Sequence, residues 1–199
     1  MQQQEMRGGP SSIRVSSEQF SGIRLELVLR RQAKDAIVNE TLRFARRGLE
    51  TNGMLLGNMR FNSGKGILFC EVITATDSGP FAEHQPGRTS VDTRYQTQRL
   101  EEAQGRNLSM LGFWHSHPRY ITEPSSGDHI SIRAAAMPLY ISLITTLQSG
   151  ESVPRLRGFA FYFRQDGEFI RRQLDIYMEK ANGRFDFFDA AKATVMKDV

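Results

Sequence analysis

Two histidines one residue apart, His115-Ser116-His117, and an aspartate eleven residues after the second, Asp128, are the side chains in this 199-residue chain best suited to holding a metal ion. The lead-in Met110, Leu111, Phe113 and Trp114 is apolar and reads as a strand. Residues at i and i+2 of a strand project from one face, so the two imidazoles converge. Past a loop containing Pro118 and Pro124, the segment from His129 to Met137 can turn helical, and Asp128 at its start brings a carboxylate back to the same point. Two neutral nitrogens and one oxygen, with a fourth position left for water, are the donor set of catalytic rather than structural zinc. Ser125 and Asp128 also read as a helix start, Ser125 as N-cap and Asp128 three residues on as its capping-box partner. That second reading leaves unexplained why two of only four histidines stand at H-x-H just upstream.

At these residues the chain resembles the JAMM metalloproteases, the MPN+ family, whose hallmark is H-x-H, seven residues, Ser, two residues, Asp. His115-Ser116-His117, then Pro118 through Pro124, then Ser125, Ser126-Gly127 and Asp128 meet each spacing. Upstream, Glu50-Thr51-Asn52-Gly53-Met54-Leu55-Leu56-Gly57 is similar to the family's E-x-x-G-x-L-x-G. Gly112-Phe113-Trp114-His115-Ser116-His117-Pro118 resembles the bacterial branch that accompanies E1-like and E2-like proteins, and the resemblance spans residues 24 to 177. It implies one zinc per chain on His115, His117 and Asp128, with Glu50 as general base and Ser125 as donor to the developing oxyanion. The implied substrate is a peptide or isopeptide bond after the C-terminal glycine of a ubiquitin-like modifier, in deconjugation or maturation, with antiphage defence as one setting. A non-catalytic scaffold of the same fold, and a hydrolase acting on a sulfur-carrier protein, are the alternatives. Without the match at Gly53 and Gly57, Glu50 would read as a surface partner for Arg43, Arg46 or Arg47.

The elements that must position these groups follow from periodicity. Ile23 to Leu29 alternates in period two and reads as a half-buried strand, and Val38, Leu42, Ala45 and Leu49 recur at helical spacing. Glu50 therefore sits at a helix-to-strand junction. Met54 to Leu56 and Ile67 to Thr74 read as strands around Gly64-Lys65-Gly66. Residues 77–92, with two prolines and two glycines, form a long loop in which His84 is a solvated residue. A helix capped by Asp92 or Thr93 precedes the strand that delivers the histidines. After the Asp128 helix, Leu139 to Thr146 reads as a strand buried on both faces, and Arg157 to Phe163 and Glu168 to Ile176 form a hairpin around Asp166-Gly167. Phe185 to Met196 carries apolar residues at helical steps and reads as a terminal helix. Strands interleaved with helices predict an α/β fold, a single mixed β-sheet flanked by helices. The resemblance implies the same, in its cytidine-deaminase-like form.

Length favours one domain, with a flexible polar arm over residues 1–22 and the domain over residues 23–199 ending in the terminal helix; the resemblance implies that this is a metalloprotease domain. Cys70, the single cysteine, lies in an apolar run and reads as a buried small side chain. The polar N-terminus and the lack of any long apolar run predict a cytoplasmic protein without a membrane span. The formal charge of +4 comes from scattered Arg pairs and not from a basic block, which argues against nucleic acid as a partner.

Overall fold

Short alternating runs containing β-branched and aromatic residues recur along the chain. The computed structural model, which describes residue 20 and residues 22–117 and 121–188, turns them into ten strands and three helices among the described residues. In chain order these are β1 (Arg24–Leu29), α1 (Arg31–Ala45), β2 (Asn52–Asn62), β3 (Ile67–Ala75), the short β4 (His84–Gln85) and β5 (Arg88–Thr89), and α2 (Thr93–Gln104). There follow β6 (Ser109–His117), α3 (Ser126–Ala134), β7 (Tyr140–Thr146), β8 (Arg155–Phe163), β9 (Phe169–Glu179) and β10 (Phe185–Phe188).

Seven strands run in the order β1-β3-β2-β6-β7-β8-β9, and β9 returns to β1 in parallel, with Glu26 opposite Asp175 and Leu29 opposite Met178. The fold is thus a closed, mostly strand-built barrel with three short helices. This corrects the expectation of a single mixed sheet flanked by helices. The strands and their mixed directions are as expected, but closure joins strands from opposite ends of the chain, and periodicity within each strand carries no record of that meeting. Polar clamps hold the seam. Arg172 donates to the carbonyls of Phe20 and Ile23 at 3.0 and 2.9 Å, tying β9 to the lead-in of β1. At the other end Arg30 pairs with the buried Glu71 of β3 and, at 3.2 Å, with Glu179 of β9.

Alternation sorts each strand into an inside and an outside. Leu25, Leu27 and Leu29 of β1 meet Cys70, Trp114, Leu143, Ala160 and Ile176 in the interior. Burying a leucine of this kind contributes about 1.5–3 kcal/mol. α1 adds Ala33 and Ile37 to that core, and its Thr41 hydroxyl bonds that of Thr145 at 2.9 Å. On the outside, α2 lays Leu100 and Ala103 on Met54, Leu56 and Met110, while Ile132 of α3 packs on Tyr140, Ile144, Phe159 and Phe161. A strip of β6 between the two helices is left for other work.

Two local expectations change. The loop over residues 77–92 contains the small hairpin β4–β5, with His84 opposite Thr89. Of the segment expected to be helical from Phe185 to Met196, the described part is β10, antiparallel to β9 with Phe185 opposite Glu179; the remainder lies outside the described residues. Pairing with β9 gives these residues a hydrogen-bonded partner that a short isolated helix lacks. Of the N-terminal arm, Phe20 is buried against Tyr162 with ring centroids 5.3 Å apart, and residues 1–19 and 21 lie outside the described residues. Among the described residues no helix is long and apolar enough to cross a membrane.

Candidate metal centre

β6 pairs with β2 on one side and β7 on the other, and this three-strand strip fixes the site. Phe113 packs on the outer face, Trp114 and Leu111 point into the barrel, and so His115 and His117 point outward. Trp114 anchors the strand, its indole N–H donating to the Thr76 carbonyl at 2.8 Å. Gly53 lies opposite Trp114, where a Cβ would fall 1.9 Å from the Thr76 oxygen, and a Cβ on Gly57 would fall 1.9 Å from the Glu71 oxygen. The two glycines of the upstream motif thus let β2 approach its neighbours closely.

Asp128 reaches the histidines from the first turn of α3. Ser125 caps that helix: its hydroxyl accepts from the Asp128 N–H at 3.2 Å, while Asp128 Oδ2 accepts from the Ser125 N–H at 2.6 Å and its hydroxyl at 2.8 Å. The helix-start reading of this stretch is met, and the same capping box turns the carboxylate toward the imidazoles, where the three side chains could hold a metal ion. His115 Nε2 lies 2.8 Å from His117 Nε2 and 3.3 Å from Asp128 Oδ1, and His117 Nε2 lies 3.3 Å from Asp128 Oδ2. The three candidate ligand atoms fall within 4.8 Å of one another.

The donor set fits a metal. His117 Nδ1 faces the Ile121 carbonyl at 3.0 Å. A carbonyl has no proton to give, so Nδ1 carries it, and the Nε2 of the neutral ring keeps its lone pair toward the cluster. Zinc bonds of 2.0–2.1 Å at tetrahedral angles put ligand atoms about 3.3–3.4 Å apart. The two imidazole-to-carboxylate spacings are of that size, each to a different oxygen of Asp128, and the imidazole pair is closer. Burial pushes the Asp128 carboxyl up, but hydrogen bonds from His115, His117 and Ser125 outweigh it and hold Asp128 far below the usual carboxylate range. Burial likewise disfavours a charged His117, yet Asp128, the Ile121 carbonyl and Glu50 prevail and raise its pKa. A field that draws a proton onto a buried imidazole also draws a cation to its lone pair.

Glu50 enters from the far side of β6. The ladder sets Asn52 opposite His115, and the Ser116 N–H donates to the Thr51 carbonyl at 2.8 Å, so two residues further on Glu50 stands opposite His117. Glu50 is buried, and burial pushes its carboxyl up from the ordinary range; His117 opposes that shift and Asp128 adds to it. Ser116, inside the barrel, accepts from the Thr51 N–H at 2.9 Å and so tethers the segment that carries Glu50. The loop before α3 is tethered too, Glu123 pairing with Arg157 of β8 and, at 3.0 Å, with Arg171 of β9. His129 points away from the cluster, edge-on to Phe161 with ring centroids 5.4 Å apart.

Three neighbours escape sequence reasoning. Asn52 Oδ1 and Thr146 Oγ1 are the buried side-chain polar atoms without a partner among the described residues. They flank the imidazoles, Asn52 across from His115 on β2 and Thr146 across from His117 on β7. His84 is not a solvated loop residue: it stacks on Phe44 and faces the Glu50 carbonyl. No local signal marks these three, because their places depend on strand register and on how the 77–92 loop returns.

Comparison with known proteins agrees with this architecture. None of the curated proteins matches the chain. Among solved structures, the solution structure of protein DSY2949 from Desulfitobacterium hafniense superposes with a TM-score of 0.51 at 24% identity, covering 78% of this chain and 96% of that one. That likeness is one of fold. The model of prokaryotic homologs of the JAB domain matches residues 30–157, a stretch that holds Glu50, both histidines, Ser125 and Asp128, and this chain therefore belongs to that family.

Proposed function

We propose that this protein is a zinc-dependent peptidase of the isopeptidase kind. It cleaves the amide bond after the C-terminal glycine of a ubiquitin-like modifier, in deconjugation or precursor maturation, within a bacterial conjugation pathway in the cytoplasm. The observation that carries this reading is the meeting of His115, His117 and Asp128 on one outward strip of the barrel, with a buried Glu50 opposite His117.

Zinc held by His115, His117 and Asp128 would supply a Lewis acid for the substrate carbonyl and acidify water at neutral pH. Glu50 takes the proton from the attacking water and returns it to the leaving amine nitrogen, a role that typically contributes about 10²- to 10⁴-fold. Its burial beside His117 places the carboxylate where a proton can be taken up and released next to the candidate ligands. The Ser125 hydroxyl donates to Asp128 at 2.8 Å, so it must turn to serve the oxyanion on the substrate carbonyl. Losing a donor of that kind costs about 10²- to 10³-fold. The partners of such an enzyme are ubiquitin-like proteins or their conjugates, alongside E1-like and E2-like enzymes, and antiphage defence is one setting for the pathway.

The test is purified wild type beside Glu50→Ala, each incubated with fusions of ubiquitin-like tails and assayed for bound zinc. The expected result is about one zinc per chain in both proteins and cleavage directly after the terminal glycine by wild type alone. Equal cleavage by both removes Glu50 from the reaction. A metal-free, inert wild type leaves a binding module in place of an enzyme.

A further inference from the structure

Glu50 precedes β2 and lies outside the regular ladder, whose pairing with β6 begins at Asn52. Its main chain is nonetheless held at both peptide groups by neighbouring residues of β4. The Glu50 N–H donates to the Gln85 carbonyl at 3.3 Å, and the Glu50 carbonyl accepts from His84 Nδ1 at 2.8 Å.

The His84 ring is itself fixed on three sides. It stacks on Phe44 of α1 with centroids 3.8 Å apart and planes 22° from parallel. Nδ1 must carry the proton because it faces a carbonyl, so in the neutral ring Nε2 accepts from the Ser78 hydroxyl, 3.2 Å away. Ser78 in turn lies 3.4 Å from the Thr51 hydroxyl, next to Glu50. The contacts form a circuit from α1 through the 77–92 loop to the residue before β2.

We propose that His84 is a positioning residue for Glu50: by gripping the Glu50 carbonyl it sets the distance from which that carboxylate works on the strip bearing His115 and His117. This rests on the peptidase reading for its catalytic meaning, while the grip is a property of the fold. A residue at a strand end frays unless something replaces the missing ladder, and here a side chain replaces it. Displacing a general base by about 1 Å costs on the order of 10²-fold in rate. A histidine that merely fastened the loop would affect stability and substrate affinity; one that aims Glu50 affects turnover.

The variants that separate these are His84→Leu, which removes the donor, and His84→Asn, whose amide nitrogen can stand in for Nδ1. Turnover is measured on a ubiquitin-like protein ending in a glycyl-aminocoumarin amide, with zinc content checked to be equal. Hydrogen exchange of the Thr51 amide is followed in the metal-free proteins. In His84→Leu, kcat is expected to fall about 10- to 100-fold with KM within about twofold, and the Thr51 amide to exchange at least about tenfold faster. His84→Asn is expected to recover most of both. Should His84→Leu not fold, Ser78→Ala, which removes only the hydroxyl on Nε2, is expected to lower kcat in the same sense by a smaller factor. Wild-type kcat in His84→Leu, unaltered exchange at Thr51, or His84→Asn as impaired as His84→Leu overturns the proposal. A wild type that cleaves nothing removes the peptidase reading instead, and the exchange of the Thr51 amide, which belongs to the peptide whose carbonyl His84 holds, then decides the grip: faster in His84→Leu and restored in His84→Asn supports it, unaltered or unrestored overturns it.

Discussion

Cys70 illustrates what enclosure does to one side chain. It lies fully buried on β3 inside the barrel, where loss of water pushes its thiol up to about 12. The thiolate is the reactive form, so the native protein should ignore a thiol reagent such as dithionitrobenzoate at pH 8 and release one equivalent of chromophore per chain only in denaturant. Rapid labelling of the native protein would place Cys70 outside the core. The sign for stability follows from the same shift. The unfolded thiol ionises near its ordinary 9.0, so above that pH the unfolded chain holds fewer protons than the folded one, and stability falls as pH climbs toward 12. Gly53 makes the opposite point, that a missing side chain can be the structural requirement. A Cβ there would press on the Thr76 carbonyl at 1.9 Å and the Trp114 indole nitrogen at 2.7 Å, and backbone cannot give way cheaply. Gly53→Ala should cost about 3 kcal/mol in chemical denaturation, the upper end for overpacking. A loss under about 0.5 kcal/mol would mean that β2 relaxes freely.

Among the elements, α3 carries two duties on one residue. Ser125 caps the helix, and in the reaction proposed above its hydroxyl would turn from Asp128 to the substrate oxyanion. The duties separate because glycine is a tolerable N-cap whereas alanine is not. Ser125→Ala should lose about 1 kcal/mol of stability and Ser125→Gly only a few tenths, while both lose about 10²-fold in kcat on a glycyl amide substrate. If the loss of activity tracked the loss of stability across the pair, Ser125 would be a cap and nothing more. The capping box also explains why the H-x-H spacing to Asp128 matters: the N-cap backbone, through the Ser125 N–H, aims the carboxylate.

For the whole molecule, the decisive contact is the parallel pairing of β1 with β9. It removes two exposed strand edges and encloses the leucines of β1 on every side. Leu27→Ala, at a site with no solvent exposure, should destabilise the protein by about 2–5 kcal/mol. In hydrogen exchange, the amides of β1 and β9 should open together with global unfolding. Faster, independent exchange of β1 would mean that the barrel is not closed in solution.

Most elements, and the residues that meet at the candidate site, were legible in the sequence. Alternation predicts the strand that carries His115 and His117, the motif spacing links Asp128 and Glu50 to them, and the capping residues are local in kind. What adjacent residues dictate, such as the period of a strand, the cap of a helix or the glycines of a close approach, is written in order along the chain, because those forces act over a few residues. Tertiary structure alone decided that the sheet closes, that Asn52 and Thr146 flank the imidazoles, and that His84 folds back onto Glu50. Each of these depends on which distant strand lies alongside and in what register, and that is fixed by the packing of the whole core.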